Sequence, residues 1–462
     1  MNIYIEIENF YKEFPGKLLL GLNNVNDKYN VYIGHRSDLQ SAALNGNTSP
    51  GIIHLKDCNS LDENYQIIKK LSSKGYIFTA QDEEPGITID DYNEFSNRRM
   101  IDGKTFDFIK YYFSWGKRDF DILKTKYSKY DTKFILSGSP RIDFFKNYKL
   151  NSEDIRNFKL NLKTKKKLIL IPTSISFPIG IRRMADWMYS FKAGKDEKDK
   201  KITEEKFFET FKQATINLEY FIKLIRYLSK ELTDYDIIIK SHPNEKIEDW
   251  KKLIDLESKN IHYIDNVSVQ ELIYLSDIII QNGSSTVIDT FIAGKPIITY
   301  EPVKFEKDMN KNFPNSFGEK FKTKEEIKKY LEENAIISKI NSNFLRIMNE
   351  RIFNISGEIS SLDNFTKIWS DIYIEKFKEK KNFFKVNTLE LFKKRLREKI
   401  KRLLEKNKII RKDNIDILSQ KFPNIDINYV KKLHKDLGIM NNKFKLVNIR
   451  KIGERILELK KI

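Results

Sequence analysis

Ile237-Ile238-Ile239-Lys240-Ser241-His242-Pro243 orders everything around it. The apolar run is too short for a helix, and a proline cannot donate to a strand ladder. His242 is therefore held at the carboxyl end of a strand. About forty residues on, Asp277-Ile278-Ile279-Ile280-Gln281-Asn282-Gly283-Ser284-Ser285-Thr286 follows the same plan: an apolar strand, a glycine turn, then serines where a helix starts. Gly294-Lys295-Pro296 closes that helix with a glycine cap and a proline, just before the next strand.

Outward from this pair the pattern repeats. Strands are predicted at Leu168–Pro172, Asp236–Lys240, Ile261–Ile264, Ile278–Gln281 and Ile297–Tyr300, with helices at Glu204–Leu232, Val269–Leu275 and Ser285–Ala293. An earlier series has strands at Ile3–Ile7, Asn30–Gly34, Gly51–Leu55, Tyr76–Ala80, Tyr111–Ser114 and Phe134–Ser137, with helices such as Asp62–Ser72 and Lys117–Lys126. Such alternation predicts parallel sheets covered by helices. The expected fold class is α/β: two Rossmann-like domains facing a cleft, with a basic helical C-terminal extension. Residues 1–150 form the acceptor and catalytic domain, 167–375 the nucleotide-sugar-binding domain and 376–462 the tail, with the lysine-rich stretch Lys149–Lys166 between the domains. Ligands of such sheets sit beyond the carboxyl ends of the strands, so the candidate residues are the polar ones that follow each strand.

Composition narrows the function classes. Of 84 Lys and Arg and 65 Asp and Glu, residues 376–462 hold 27 and 10, leaving a nearly neutral body of 57 and 55. The charge belongs to the tail and is no nucleic-acid footprint of the whole chain. One cysteine, Cys58, excludes a disulfide framework and a cysteine-built zinc site. Neither a secretory leader nor a run of about 18 apolar residues is present, so a cytoplasmic location is expected.

Hydroxyls and unpaired N–H groups at a helix start suit a phosphate, and an imidazole from a neighbouring strand end adds a second hold. Ser284 as a simple cap and His242 as a satisfied turn residue are the plainer reading. These motifs resemble those of GT-B enzymes that use cytidine-nucleotide donors, among them polysialyltransferases, Kdo transferases and CDP-glycerol glycerophosphotransferases. The resemblance spans mainly residues 130–300. Ser137-Gly138-Ser139-Pro140-Arg141-Ile142-Asp143 is similar to that superfamily's Gly-x-Pro-Arg-x-Asp segment. Ala80-Gln81-Asp82-Glu83-Glu84-Pro85-Gly86 resembles the bacterial surface carbohydrate biosynthesis proteins, whose Asp-Glu-Glu-Gly is here interrupted by Pro85. The resemblance implies that His242 and Ser284 or Ser285 contact the donor's phosphate. The donor-binding set is then Lys240, His242, Pro243, Asn282, Gly283, Ser284, Ser285, Thr286 and Arg141, with Arg182 and Arg183 as a phosphate grip or a surface ion pair.

Asp82, Glu83 and Glu84 follow a strand, and crowded carboxylates raise one another's pKa, as a general acid requires. A carboxylate can also attack an anomeric carbon with net retention, as in the retaining Kdo transferases the chain resembles. Asp82 and Asp143 compete for that role. Asp119-Phe120-Asp121 has the form of a metal-binding pair but falls in a helical stretch, and His35-Arg36 is a polar loop or an acceptor contact. No metal and no cofactor are expected. In the tail, Leu389, Phe392, Leu396, Ile400 and Leu403 form an apolar stripe among Lys393, Lys394, Arg395, Arg397, Lys399, Lys401 and Arg402. Such a helix suits the anionic inner face of the cytoplasmic membrane, or else packs on the body. The function expected is transfer of Kdo or another ulosonic acid from a CMP-activated donor to a glycan or lipid-linked glycan of a surface polysaccharide or lipopolysaccharide. The alternatives are a CDP-glycerol or polyol phosphotransferase of teichoic-acid type, and a non-catalytic nucleotide-binding protein tethered to membrane or nucleic acid.

Overall fold

The computed structural model describes residues 1–58, 62–83, 103–148, 150, 152–180, 184, 204–254, 258–265, 267–305, 313–333, 342–356, 359–377, 383–385 and 421–462. They divide into two compact units, the first from residues 1–87, 91–148 and 342–462, the second from 149–341. The first begins with strand β1 (Asn2–Ile7), helix α1 (Phe10–Asn24), β2 (Asn30–His35), α2 (Arg36–Leu44), β3 (Ile52–Leu55), α3 (Asp62–Ser73), β4 (Ile77–Ala80), β5 (Ile109–Ser114), α4 (Lys117–Lys126), β6 (Phe134–Leu136) and α5 (Pro140–Asn147). These six strands are parallel in the order β2-β1-β3-β4-β5-β6, so the strand order reverses at the β1/β3 crevice. Every residue of β1 is buried, the polar Asn2 and Glu6 among them, as in a central strand covered on both faces.

The second unit runs through α6 (Ser152–Asn161), β7 (Lys167–Pro172), α7 (Ser176–Ile179), α8 (Glu204–Glu231), β8 (Tyr235–Lys240), α9 (Ile247–Ile254), β9 (Ile261–Tyr263), α10 (Val269–Leu275), β10 (Ile278–Gln281), α11 (Thr286–Ile292), β11 (Ile297–Tyr300), β12 (Glu319–Phe321) and α12 (Lys324–Glu332). Its parallel sheet has the order β9-β8-β7-β10-β11-β12, the 3-2-1-4-5-6 arrangement of a Rossmann sheet. In α8 the residues Ala214, Leu218, Phe221, Leu224, Ile225 and Leu228 recur at helical spacing. They pack on Ile169, Ile171, Ile237 and Ile239 of the central strands. The α/β class with two Rossmann-like sheets is as expected from the sequence.

The chain then returns to the first unit through α13 (Ser342–Arg351), α14 (Ser361–Lys376), α15 (Ile427–Met440), β13 (Val447–Gly453) and β14 (Ile456–Lys461). Two expectations are corrected here. Residues 342–375, assigned from sequence to the second domain, build the first. Phe365, Trp369 and Ile372 of α14 are buried; Phe365 stacks on Phe113 at 3.9 Å, and the Trp369 indole donates to Thr79 Oγ1 at 3.2 Å. Nor is the end of the tail a purely helical appendage. β14 adds antiparallel to β2 and carries β13 as the edge strand, while Phe422 packs on Phe10 and His35. The amphipathic stripe Leu389–Leu403 lies outside the described residues. Among the described residues no helix is long and apolar enough to cross a membrane.

Candidate functional site

In the second unit the strand order reverses between β7 and β10, so the crevice of this sheet lies between the loops that follow those two strands. Thr173 and Ser174 follow β7, and Asn282 to Ser285 follow β10. His242 follows β8, so one strand separates it from the serine turn, and the loop after β7 joins the two. The His242 backbone N–H donates to Thr173 Oγ1 at 3.0 Å, and Ser174 Oγ donates to the Asn282 carbonyl at 2.8 Å. Behind them sits Glu245, fully buried, which accepts from the Thr173 hydroxyl, from the Ile175 N–H at 2.7 Å and from the Trp250 indole at 2.9 Å. Burial pushes its carboxyl pKa up, against these three donors. The His242 ring is turned by its own loop: the Asn244 N–H donates to Nδ1 at 3.1 Å, so the neutral tautomer assigned from this bond carries its proton on Nε2. Lys240 donates to the Asp265 carbonyl at 2.7 Å, and desolvation lowers its pKa to about 8.

The serine turn departs from the expected nest of unpaired amides. Gly283, at φ +72°, takes the left-handed conformation that glycine adopts without a Cβ penalty. Its N–H donates to Asn315 Oδ1 at 2.6 Å, and the Ser284 N–H donates to Gln281 Oε1 at 2.9 Å. The Thr286, Val287 and Ile288 amides bond back to Ser284 and Ser285. Among the described residues, the Ser285 N–H and hydroxyl and the Thr286 hydroxyl are left without a partner in this turn. Helix α11 has two turns only, so its dipole is small.

The acidic segment belongs to the first unit. Asp82 and Glu83 follow β4 but do not open onto solvent: both are buried, Glu83 is ion-paired with buried Lys17, and the Asp82 carbonyl accepts from the Trp115 indole at 2.9 Å. Glu84 lies outside the described residues, as do Arg182 and Arg183. Around this edge a charged chain continues. Lys56 pairs with Glu8, Arg36 with Asp57 at 3.4 Å, and Lys421 with Glu8 at 3.1 Å. Lys17 also donates to His54 Nε2 at 3.2 Å, which leaves Nδ1–H to donate to Thr79 at 3.1 Å. Burial, with Lys17 beside it, keeps the His54 imidazole neutral.

Asp143 is corrected as a candidate nucleophile. It is 1% exposed, and both carboxylate oxygens are taken. Oδ1 accepts from Asn354 at 2.8 Å, and Oδ2 accepts from the Ser361 N–H at 2.8 Å and hydroxyl at 2.6 Å. It locks the start of α14 to α5. Gly138, at φ +78°, belongs to the same lock, since a Cβ there would meet Asn354 at 2.3 Å. Arg141 stands in the first turn of α5, in the first unit, where its N–H donates to the Ser139 cap at 3.3 Å. Asp119 caps the Trp115 and Gly116 amides at 3.0 and 2.7 Å, and Asp121 pairs with Lys117 at 2.6 Å, so this pair is structural. His35 Nδ1 bonds to Ser37 at 2.8 Å, and His262 Nε2 to Asp236 at 3.0 Å. The residues that sequence reasoning missed are Thr173, Glu245 and Asn315. Glu245 stands three residues after His242, a local signal; Asn315 has none.

No curated protein matches the sequence. Similar solved structures include a UDP-N-acetylglucosamine 2-epimerase described as putative, from Listeria monocytogenes, 13% identical over 81% of this chain and 97% of that chain at TM-score 0.47. Another is the wall teichoic acid polymerase TagF, in a variant soaked with CDPG, 15% identical over 81% of this chain and 89% of that chain at TM-score 0.46. At these identities the likeness says nothing of substrate. The family model described as CDP-glycerol:poly(glycerophosphate) glycerophosphotransferase matches residues 81–362, which include His242, the serine turn and Asn315. That match overturns the expected transfer of a CMP-linked ulosonic acid to polysaccharide or lipopolysaccharide and favours the phosphotransferase alternative. With it falls the anomeric attack that called for a carboxylate nucleophile. This chain, a transferase of surface-polymer biosynthesis by its kinship, belongs to the CDP-glycerol:poly(glycerophosphate) glycerophosphotransferase family.

Proposed function

We propose that the chain transfers glycerol phosphate, or a closely related polyol phosphate, from its CDP ester to a hydroxyl on a growing surface polymer. The observation that carries this reading is the hydrogen-bonded joining of three strand-end loops in the second unit. They bring the His242 loop, Thr173 and the Ser285 turn together along one sheet edge, inside the span of the family match. In the reaction an acceptor oxygen forms a bond to the β-phosphorus, and the bond from that phosphorus to the oxygen of CMP breaks. Charge gathers on the phosphate oxygens, so the site must supply donors placed in advance. The Ser285 N–H and hydroxyl, the Thr286 hydroxyl and the Nε2–H of His242 are donors of that kind. The tautomer of His242 suits it to hold a phosphate oxygen through its Nε2–H and unsuits it to take the acceptor's proton, which passes to solvent as the new ester bond forms.

The test is donor choice. With a primed polymer acceptor, CMP release is expected from CDP-glycerol and not from a CMP-linked ulosonic acid. The opposite preference would sink the reading. We also place the enzyme at the inner face of the cytoplasmic membrane, on the strength of the basic apolar stripe at Leu389–Leu403. Replacing Lys393, Lys394 and Arg395 by Glu is expected to abolish cosedimentation with anionic vesicles; unchanged cosedimentation would refute the placement.

A further inference from the structure

Asn315 lies in the short 3-10 turn Phe313–Ser316, about thirty residues past the glycine turn, yet its amide touches three parts of the donor-side loops. Its Oδ1 accepts from the Gly283 N–H at 2.6 Å, and its Nδ2 donates to Asn282 Oδ1 at 3.0 Å and to Glu301 Oε1 at 3.2 Å. The adjacent Pro314 carbonyl accepts from Gln281 Nε2 at 3.2 Å, and that same Gln281 side chain accepts from the Ser284 N–H. The segment after β11 therefore holds both leading amides of the turn. Glu301 sets the polarity. A carboxylate only accepts, so Nδ2 must face it and Oδ1 must face Gly283. A flipped amide would oppose an oxygen to Glu301 and an NH2 to the Gly283 N–H.

We infer that Asn315, oriented by Glu301, is a positioning residue for donor binding. By taking up the Gly283 N–H and the Asn282 side chain it fixes the turn in the conformation that leaves the Ser285 N–H and hydroxyl for the donor's phosphate. The inference rests on the reading of this turn as the phosphate side of a cytidine-nucleotide site. Without Asn315 the Gly283 N–H loses its partner and competes with Ser285 for the turn's geometry, at a cost in affinity on the order of tenfold.

The experiment measures CMP, CDP and cytidine binding by calorimetry on the full chain, alongside donor KM and kcat. In Asn315→Ala, CMP and CDP affinity is expected to fall about tenfold, with cytidine affinity and kcat within about threefold. Asn315→Asp is expected to fall likewise, because a second carboxylate then faces Glu301. Adding Glu301→Gln to it restores a donor against an acceptor with the polarity reversed, and part of the CMP affinity returns. A merely structural role would lower the melting temperature of all three variants and leave the nucleotide affinity of the folded fraction intact, and that result overturns the inference. If Asn315→Ala does not fold, the comparison of Asn315→Asp with the double variant decides. A wild-type chain that binds none of the three compounds refutes the site reading itself, a result separate from equal binding by wild type and variants.

Discussion

His242 and Asp143 carry the two roles that side-chain identity alone could not assign. The imidazole accepts a backbone N–H at Nδ1 and so presents a proton at Nε2. If it works as a donor to phosphate, Asn or Gln in its place keeps an N–H and Ala does not. His242→Ala is expected to lower kcat/KM by at least 100-fold and His242→Gln by clearly less, as losses of single preorganised donors do. Equal loss in both, measured by CMP release, would speak for a base and against the tautomer argument. Asp143 is the opposite case. Its carboxylate holds Ser361 and Asn354, so Asp143→Ala strands three buried donors. The variant is expected to lose roughly 2–4 kcal/mol of stability while kcat per folded molecule changes by less than about threefold. A dead but fully stable Asp143→Ala enzyme would return the residue to the chemistry.

At the scale of elements, the eleven central strands were legible because buried parallel strands are short apolar runs punctuated by Gly and Pro, as at Ile237–Pro243. The loops that carry His242 and the serine turn were legible for the same reason: they follow those strands. What could not be read was long-range. Nothing near Ser361 says that its amide meets Asp143, and nothing near Asn315 says that it meets Gly283; such contacts are set by tertiary packing. The closing hairpin did carry a signal, alternation in Val447-Asn448-Ile449-Arg450 and a polar turn after Gly453, but the lysine-rich composition around it reads as a solvated tail. The hairpin matters for stability. Leu457 and Leu459 are fully buried, and Glu458 binds Tyr32 and Arg450 at 3.0 and 2.7 Å. A chain ending at Leu446 loses two buried leucines, about 1.5–3 kcal/mol each, and bares the edge of β2. Against a total of about 5–15 kcal/mol it is expected to aggregate on expression. A soluble, cooperatively unfolding product of that truncation would show that the hairpin is dispensable.

Across the whole molecule, the net charge of +19 is concentrated at the end of the chain, while the body buries carboxyls at the edges and joints of its sheets. Burial, countered by Arg36 and Gln40, leaves Glu6 with a pKa of about 7; burial, countered by Lys56, does the same for Glu13; and burial also leaves Asp119 at about 7 despite its backbone donors. Asp143 and Glu245 are shifted upward by burial as well. Ordinary values for these groups are 4.5 or below. Between those values and about 7 the native chain keeps protons that the unfolded chain has released, so raising the pH favours unfolding, by up to about 1.4 kcal/mol per pH unit for each carboxyl. The His54 imidazole and the Met1 ammonium, both lowered by burial, act in the opposite sense, but among the described residues the raised carboxyls outnumber them. Glu8, held at about 2 by Lys56 and Lys421 against the effect of burial, contributes only below pH 4.5 and leaves this window untouched. The urea midpoint is therefore expected to fall between pH 5 and pH 7.5, and Glu6→Gln, which keeps the shape of the protonated form, is expected to make that fall shallower. A midpoint that instead climbs steadily over the same range would mean that these carboxyls are ionised in the folded protein, and that the lysines and arginines of the first unit outweigh the burial.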